Sequence, residues 1–93
     1  MKIFKQQLPW YHGSMYRILT NIHGELVSIK VQQGKPVAYY TIDQQADVIW
    51  PIDIVAICTG QEIHIDLSKY KFIDTVMLDD DQYVVHYFQK MGN

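Results

Sequence analysis

The stretch ELVSIKVQQGKPVAYYTID, residues 25–43, decides the fold class of this chain. In its first arm Val27, Ile29 and Val31 share one parity, and mostly polar side chains occupy the other, which is typical of a β-strand with one apolar face. The segment Gly-Lys-Pro at residues 34–36 predicts a chain reversal, since Gly accepts a positive φ and Pro cannot donate to a ladder. The return arm is rich in β-branched and aromatic residues. We therefore interpret the stretch as a β-hairpin.

The same kind of pattern recurs along the chain, with turn signals about every 8 to 12 residues. The predicted strands cover residues 2–8, 15–22, 26–33, 37–42, 48–58, 62–67, 71–78 and 82–89. A polar connection at residues 43–47 and one helical turn around residues 66–70 complete the pattern. The 93 residues predict a single β domain over 1–93. We expect an all-β fold, a small antiparallel β-sandwich or a partly open β-barrel of about six to eight short strands.

Local signals refine the predicted strands. Residues 2–8 mix Lys and Gln with apolar side chains and end before Pro9, which indicates an edge strand. His23-Gly24 predicts a turn that would make residues 15–33 a second hairpin. Pro51 predicts a bend or bulge that divides residues 48–58 into two pieces. Residues 82–89 are apolar on both parities, a pattern typical of a strand covered on both faces at the centre of a sheet.

Composition excludes several classes of function. The formal charge is −2, from 8 basic and 10 acidic residues, whereas proteins that grip nucleic acid by its phosphates carry a basic surplus. Generic nucleic-acid binding is therefore disfavoured. The apolar runs fall far short of the ~20 residues that span a bilayer, and no signal peptide is evident. With Cys58 as the one cysteine, the simplest interpretation is a cytoplasmic protein with no disulfide, no membrane segment and no four-thiolate zinc site.

The sequence favours a protein without catalysis, metal or cofactor. His64 and Asp66 lie two apart and could face a metal, but an amphipathic strand requires polar residues at those positions in any case. Asp79-Asp80-Asp81 lacks the spaced ligands of a calcium loop, so we interpret it as a charged hairpin tip. Cys58 follows apolar neighbours, which favours an inert thiol. The chain contains no Ser-centred elbow, phosphate loop or paired zinc motif, so enzymatic activity is the last-ranked interpretation.

Two groups of residues are candidates for binding. Exposed aromatic side chains mark interfaces and can stack on ligands, although in a small domain they can equally cover the core. The partner-binding candidates are Trp10, Tyr11, Tyr39 and Tyr40. His86 lies among apolar residues, where it is either a core histidine satisfied by a hydroxyl or backbone group, or a donor in a pocket. The ligand-binding candidates that would orient a small molecule are Thr59, Gly60, Thr75 and His86.

Several short motifs follow one another along nearly the whole chain. They are Ile3-Phe4-Lys5 with Leu8-Pro9, the strand and turn at residues 29–37, Thr59-Gly60 before Ile63, Phe72-Ile73-Asp74-Thr75, and His86-Tyr87-Phe88. This order resembles a family of small, uncharacterised β proteins encoded by phages and prophages, a domain of unknown function. The resemblance implies a viral origin and a compact β fold, and it carries no established activity.

Three functions follow as expectations. The first is a non-enzymatic phage or prophage protein, acting in the host cytoplasm, that binds a host component, for instance as an inhibitor of a bacterial defence system. The second is a sponge that binds a small nucleotide-like ligand at a subunit interface. The third is a structural or accessory virion protein that assembles with itself through edge strands. The expected partners are accordingly a host protein, a second copy of the chain, or a small molecule.

Overall fold

A computed structural model describes residues 1–21, 23–43 and 49–92 of the chain. The predicted connection at residues 44–47 and the predicted strand ends at residues 22 and 48 lie outside the described residues. Within them, the chain forms seven β-strands and one short 3₁₀ turn. The strands are β1 (Lys2–Gln7), β2 (Met15–Asn21), β3 (Leu26–Gln32), β4 (Lys35–Ile42), β5 (Ile49–Cys58), β6 (Tyr70–Leu78) and β7 (Tyr83–Lys90).

The described strands make two antiparallel sheets packed face to face. A three-stranded sheet has the order β1-β4-β3, and a four-stranded sheet has the order β2-β5-β7-β6. The predicted all-β fold is confirmed in its sandwich form, and the sheets do not close into a barrel. The positions of β1 at a sheet edge and of β7 between two neighbours are also confirmed. The predicted covering of β7 on both faces is wrong, because Val85 and Tyr87 are buried in the core whereas Val84, His86 and Phe88 on the other side remain partly exposed.

The core lies between the two sheets and draws on every strand of the four-stranded one. Alternate residues of each strand point inward, as a repeat of two requires. The buried core residues are Leu8, Ile18, Ile29, Ala38, Tyr40, Ile52, Ile54, Ala56, Val76, Leu78, Val85 and Tyr87. Tyr87 is the largest of the fully buried side chains. Its hydroxyl donates to the carbonyl of Pro9 at 3.0 Å, so the core residue of greatest volume also fixes the chain just after β1.

The hairpin of β3 and β4 is confirmed, with two corrections of detail. The reversal is a two-residue turn at Gln33-Gly34, where φ is 52° and 76°, and not at residues 34–36. Paired positive φ values match the right-handed twist of the flanking strands better than an ordinary turn would. A bulge between Leu26 and Ser28 also interrupts the alternation. Leu26 therefore faces Tyr40 and packs on the core, whereas Val27 is 54% exposed.

The predicted hairpin over residues 15–33 is wrong, because β2 and β3 belong to different sheets. The chain crosses from one sheet to the other at Gly24, where space is minimal. A Cβ at this position would lie 1.8 Å from Oγ1 of Thr20 and 2.5 Å from the carbonyl oxygen of Thr41. These two groups are themselves hydrogen-bonded at 2.6 Å across the sheets. Only a residue without a side chain lets the two sheets meet here.

The predicted strand at residues 62–67 is also wrong. Residues 61–66 form an irregular loop that leads into a 3₁₀ turn at Leu67–Lys69, which confirms the helical turn expected around residues 66–70. The carboxylate of Asp66 caps this turn by accepting from the backbone N of Ser68 at 3.1 Å. The alternation of apolar and polar residues at 62–67 predicted a strand wrongly. The Asp-x-Ser sequence offers the backbone local hydrogen bonds, and these compete with the hydrogen bonds of a β-sheet.

Pro51 does not divide β5, which is one continuous strand of ten residues. Its pairing with β2 passes through Leu19 and Pro51 without a register shift. The pairing with β7 begins only at Ile54. Pro51 therefore lies in the half of β5 that has a single neighbour, where a missing backbone donor is tolerated.

The edges of the two sheets meet at β3 and β6. A bulge between Phe72 and Asp74 turns the carboxylate of Asp74 toward β3. Its Oδ2 accepts from the backbone N of Ile29 at 3.2 Å and lies 3.7 Å from Nζ of Lys30. The carboxylate thus satisfies a backbone donor on the edge of the opposite sheet, where an unpaired group would otherwise be open to another chain.

We predict that Gly24→Ala lowers the free energy of unfolding by about 2–3 kcal/mol, because overpacking against a backbone carbonyl forces the sheets apart. Gly34→Ala is the matched control. Its Cβ would meet open space, so the expected loss is only the left-handed backbone penalty of about 1 kcal/mol. Urea denaturation of both variants measures the difference. A smaller loss for Gly24→Ala than for Gly34→Ala would contradict the proposed close approach.

Candidate functional site

The face of the four-stranded sheet that points away from the core is largely apolar. The residues that alternate with the core positions of β5, β6 and β7 lie side by side across the strands, as in the row Val55, Phe88 and Phe72. Together with two residues of β2 they define the apolar outer face: Met15, Leu19, Val55, Ile57, Phe72, Met77, Val84 and Phe88. Four of them, on the edge strands β2 and β6, are more than half exposed, whereas Val55 and Ile57 between them are buried. Accessible apolar side chains grouped on one face are typical of an interaction site.

Phe72 and Phe88 form the aromatic centre of this face. Their ring centroids are 5.7 Å apart in an edge-to-face arrangement, a favourable geometry for two aromatic rings. Phe72 is 55% exposed on the edge strand β6, and Met77 on the same strand is equally exposed. The four-stranded sheet therefore presents large, accessible apolar side chains on its outer side.

His86 lies in the same face and is held by two hydroxyl groups. Its Nε2 lies 2.7 Å from Oγ1 of Thr59, and its Nδ1 lies 2.9 Å from Oγ1 of Thr75. In a neutral imidazole one nitrogen donates and the other accepts, and a hydroxyl can match either role. The structure thus brings three of the four predicted ligand-binding residues into one hydrogen-bonded chain across β5, β7 and β6.

The fourth, Gly60, lies in the turn directly after Thr59, with a φ of 83°. This left-handed conformation lets the chain turn away after β5. Gly60 thus positions Thr59 beside His86 rather than adding a polar side chain to the group.

An ion pair joins β2 and β5 on this face. Nε of Arg17 is 2.7 Å from Oδ1 of Asp53, and its Nη2 is 3.1 Å from Oδ2. This two-point hydrogen bond from Arg17 holds the pKa of Asp53 below its ordinary value. The carboxylate therefore stays ionised throughout the neutral range. Since Arg17 lies between Met15 and Leu19 on β2, the pair adds a fixed polar group to this side of the largely apolar face.

A second candidate surface is a cleft beside the loop that follows β1. The loop is tied to β5 by backbone hydrogen bonds from Gly13 to Ala56 and from Ala56 to Ser14, and to β7 by the bond from Tyr87 to Pro9. The cleft has a volume of about 470 Å³, within the usual range for small-molecule sites. The residues that line this aromatic cleft are Trp10, Tyr11, His12, Cys58, Thr59, Gln61, Gln82, Tyr83 and Val84.

Three aromatic rings meet in the cleft. The ring centroids of Trp10 and Tyr11 are 5.1 Å apart with planes at 18°. Those of Trp10 and Tyr83 are 5.3 Å apart with planes at 58°. Tyr11 is 68% exposed and Tyr83 is 44% exposed. Trp10 is therefore flanked by two tyrosines whose outer surfaces remain accessible.

The four aromatic residues predicted to bind a partner do not form one surface. Trp10 and Tyr11 line the aromatic cleft. Tyr40 is only 8% exposed and belongs to the core, where its ring lies 6.4 Å from that of Phe4. Tyr39 is adjacent in β4 and points to the outer side of the three-stranded sheet. Because successive side chains of a strand point to opposite faces, Tyr39 and Tyr40 lie on opposite sides of the sheet.

The remaining candidates occupy ordinary positions. His64 is exposed in the loop before the 3₁₀ turn, and Asp66 caps that turn. The Asp79-Asp80-Asp81 segment forms the hairpin tip between β6 and β7 with three positive φ values, which Asp tolerates better than most residues. Among the described residues, no group of three His, Cys, Asp or Glu side chains could hold a metal ion. No helix in the described part of the chain is long and apolar enough to cross a membrane.

Sequence reasoning missed His12, Gln61, Gln82 and Tyr83 as members of the cleft, because three distant segments build it. It also missed Phe72 and Met77 as surface residues.

The sequence contains one signal that could have identified Phe72 and Met77 as exposed. Both parities of residues 71–78 and 82–89 are partly apolar, and a two-layer sandwich can bury only one of them.

A family model described as a domain of unknown function (DUF7352) matches residues 1–93. No curated protein and no solved structure matches the chain.

We predict that Cys58 reacts slowly with iodoacetamide at neutral pH. Burial raises the pKa of its thiol, and the sulfur lies 3.7 Å from the carbonyl oxygen of Trp10 as a donor. The alkylation rate should rise with a midpoint above the ordinary thiol pKa of about 8.5. The stability that the neutral thiol contributes is present below that value and is lost as the pH rises through the folded-state pKa.

The chain unfolded in urea is the control for this measurement, since its thiol titrates at the ordinary value. A folded-state midpoint at or below that of the unfolded chain would show that Cys58 is an activated nucleophile, contrary to this prediction.

Proposed function

The chain belongs to the DUF7352 family, and we propose that it is a non-enzymatic binding protein that engages a host protein through the apolar outer face. The observation that carries this proposal is the cluster of large, accessible apolar side chains on the outer side of the four-stranded sheet, with Phe72 and Met77 each 55% exposed. Interfaces combine such an apolar centre with a polar rim. Here the polar groups beside the apolar residues are the Arg17–Asp53 ion pair on the β2 side and the acidic hairpin tip between β6 and β7.

The resemblance of the sequence to phage and prophage proteins supports the finer form of the proposal. In that form the chain is made by a phage or prophage, acts in the host cytoplasm and occupies a surface of a bacterial defence protein. A binding protein of this kind needs no catalytic group, and both ring nitrogens of His86 are hydrogen-bonded to hydroxyl groups of the chain itself. The target would present an apolar surface that matches the outer face.

We predict that Phe72→Lys combined with Met77→Lys weakens binding to the host protein at least about tenfold, since charges at the centre of an interface must be desolvated. Val27→Lys is the matched control, because Val27 is similarly exposed at 54% but lies in the other sheet. The partner is isolated from bacterial lysate with the unmodified chain, and the affinities are then measured with purified proteins. Thermal denaturation confirms that both variants remain folded.

Two results would overturn this assignment of the surface. One is a host complex that tolerates both lysines and is lost with Val27→Lys. The other is a dimer of the chain, seen by light scattering, that Phe72→Lys dissociates without any host protein being involved. The second result would assign the apolar outer face to a second copy of the chain.

A sponge for a nucleotide-like ligand is the second candidate function, and one observation favours it. Thr59 and Thr75 hold His86 from both sides, which gives a sheet face a pre-ordered polar group of the kind that orients small ligands. If two copies join at this face, the three residues would lie at the subunit interface. Light scattering with a panel of nucleotides tests this function, and a monomer whose melting temperature no nucleotide changes would exclude it.

Assembly into a virion through edge strands is the third candidate function. The strand β1 is a sheet edge whose residues are nearly all exposed, and an open edge can pair with another chain. Its lysines oppose that pairing, since charged residues are the usual protection of an edge. We rank this function below the other two.

A further inference from the structure

We propose that the aromatic cleft binds a planar, uncharged nitrogen heterocycle of the nucleobase or nucleoside class. This inference goes beyond the host-protein proposal, because the cleft residues other than Val84 lie outside the apolar outer face. It rests on three features of the cleft: its aromatic walls, an acceptor on His12 that no described residue pairs, and a lining in which the described side chains are uncharged.

The walls of the cleft suit a flat ring system. Tyr11 and Tyr83 flank Trp10 and keep much of their surface exposed. A heterocycle can stack on either tyrosine without displacing a core residue, and stacking on aromatic side chains is how proteins hold bases with little dependence on sequence. The volume of about 470 Å³ accommodates a base with its sugar.

His12 supplies an acceptor that the described residues do not satisfy. Its Nε2 lies 2.8 Å from the carbonyl oxygen of Glu62. Since a carbonyl only accepts, Nε2 carries the proton, and Nδ1 of the neutral ring is an acceptor. Within the described part of the chain, this Nδ1 is buried and has no hydrogen-bond partner. His12 lines the cleft, and leaving a buried acceptor unpaired is costly, so a ligand N–H that pairs with Nδ1 would be bound favourably.

Further polar groups of the cleft can form hydrogen bonds with the edge of the bound heterocycle. The side-chain amides of Gln61 and Gln82 line the cleft, and each offers both donors and an acceptor. Thr59 also lines it, with its hydroxyl oriented by the hydrogen bond to His86. Donors and acceptors of this kind are the complement of a nucleobase edge.

Charge selects against phosphates. The described residues that line the cleft include no Lys, Arg, Asp or Glu. Trp10 also lines a neighbouring cavity with Asp79 and Asp80 of the acidic hairpin tip. A phosphate group would find no cation among the described lining residues and would lie near like charge. We therefore expect a free base or nucleoside to bind better than the corresponding nucleotide.

Fluorescence of Trp10 tests the proposal directly. The chain contains two tryptophans, so a Trp50→Phe variant leaves Trp10 as the single reporter. Titration with adenosine, guanosine, cytidine and uridine should give saturable quenching by at least one of them, with a dissociation constant of roughly 0.1–1 mM. The monophosphate of that nucleoside should bind more weakly. No saturable change with any of the four would overturn the proposal.

Tyr83→Leu in the same background should weaken binding about tenfold or more, because it removes a stacking surface while keeping an apolar contact with Trp10. Tyr39→Leu, on the outer side of the other sheet, is the matched control and should leave the affinity unchanged. Equal losses in the two variants, or none with Tyr83→Leu, would overturn the assignment of the site. In the unmodified chain, NMR side-chain signals of His12, Gln61 and Gln82 should shift with nucleoside, and unshifted signals would also overturn it.

The heterocycle could come from a free metabolite or from an unpaired base of a single strand. A short single-stranded oligonucleotide is therefore titrated alongside the nucleoside. Weaker binding of the strand identifies the free molecule as the source, as the acidic surroundings predict. Tighter binding that Tyr83→Leu abolishes supports the cleft with a strand as the source, whereas tighter binding that Tyr83→Leu leaves intact overturns the proposal.

Discussion

The carboxylate of Asp74 joins the edges of the two sheets, and much of the architecture depends on this contact. The bulge that precedes Asp74 moves its carboxylate to the core side of β6, where it accepts from the backbone of β3 and approaches Lys30. The same shift of one residue brings Phe72 and Thr75 onto the opposite side of the strand. Without the bulge, Thr75 could not face His86, and the apolar outer face would lose its hydrogen-bonded centre.

Joining the sheets at one corner leaves two outer faces of different chemistry. The strands of the three-stranded sheet carry Lys2, Lys5, Lys30 and Lys35 and no acidic residue, although the whole chain is slightly acidic. Their outer face holds a shallow polar groove of about 440 Å³ lined largely by lysine and glutamine. The outer face of the other sheet is apolar. A partner that buries apolar surface therefore distinguishes the two sides, because desolvating lysines is costly and desolvating Phe72 is favourable.

The aromatic cleft arises at the end of the sandwich where the loop after β1, the end of β5 and the start of β7 converge. Tyr87 has a part in both structure and site, since its ring fills the core while its hydroxyl holds the loop that carries Trp10. The sequence identified Trp10, Tyr11 and Thr59 as candidates, but assigned the two aromatic residues to a partner-binding site and Thr59 to a ligand-binding site. Their convergence depends on the pairing of β5 with β7, and a sequence pattern does not specify which strands pair at long range.

The all-β fold, the location of most strands, the edge position of β1 and the central position of β7 could be predicted from the sequence. These properties follow from local causes: a period of two in apolar residues, turn residues, charged residues on an edge strand, and apolar residues on both parities of a central one. The order of strands, the exposure of Val27, the crossing at Gly24 and the loop at residues 61–66 depend on tertiary contacts. Bulges and close approaches depend on what the rest of the chain places beside a residue, and a single displaced residue in a strand exchanges its inner and outer faces.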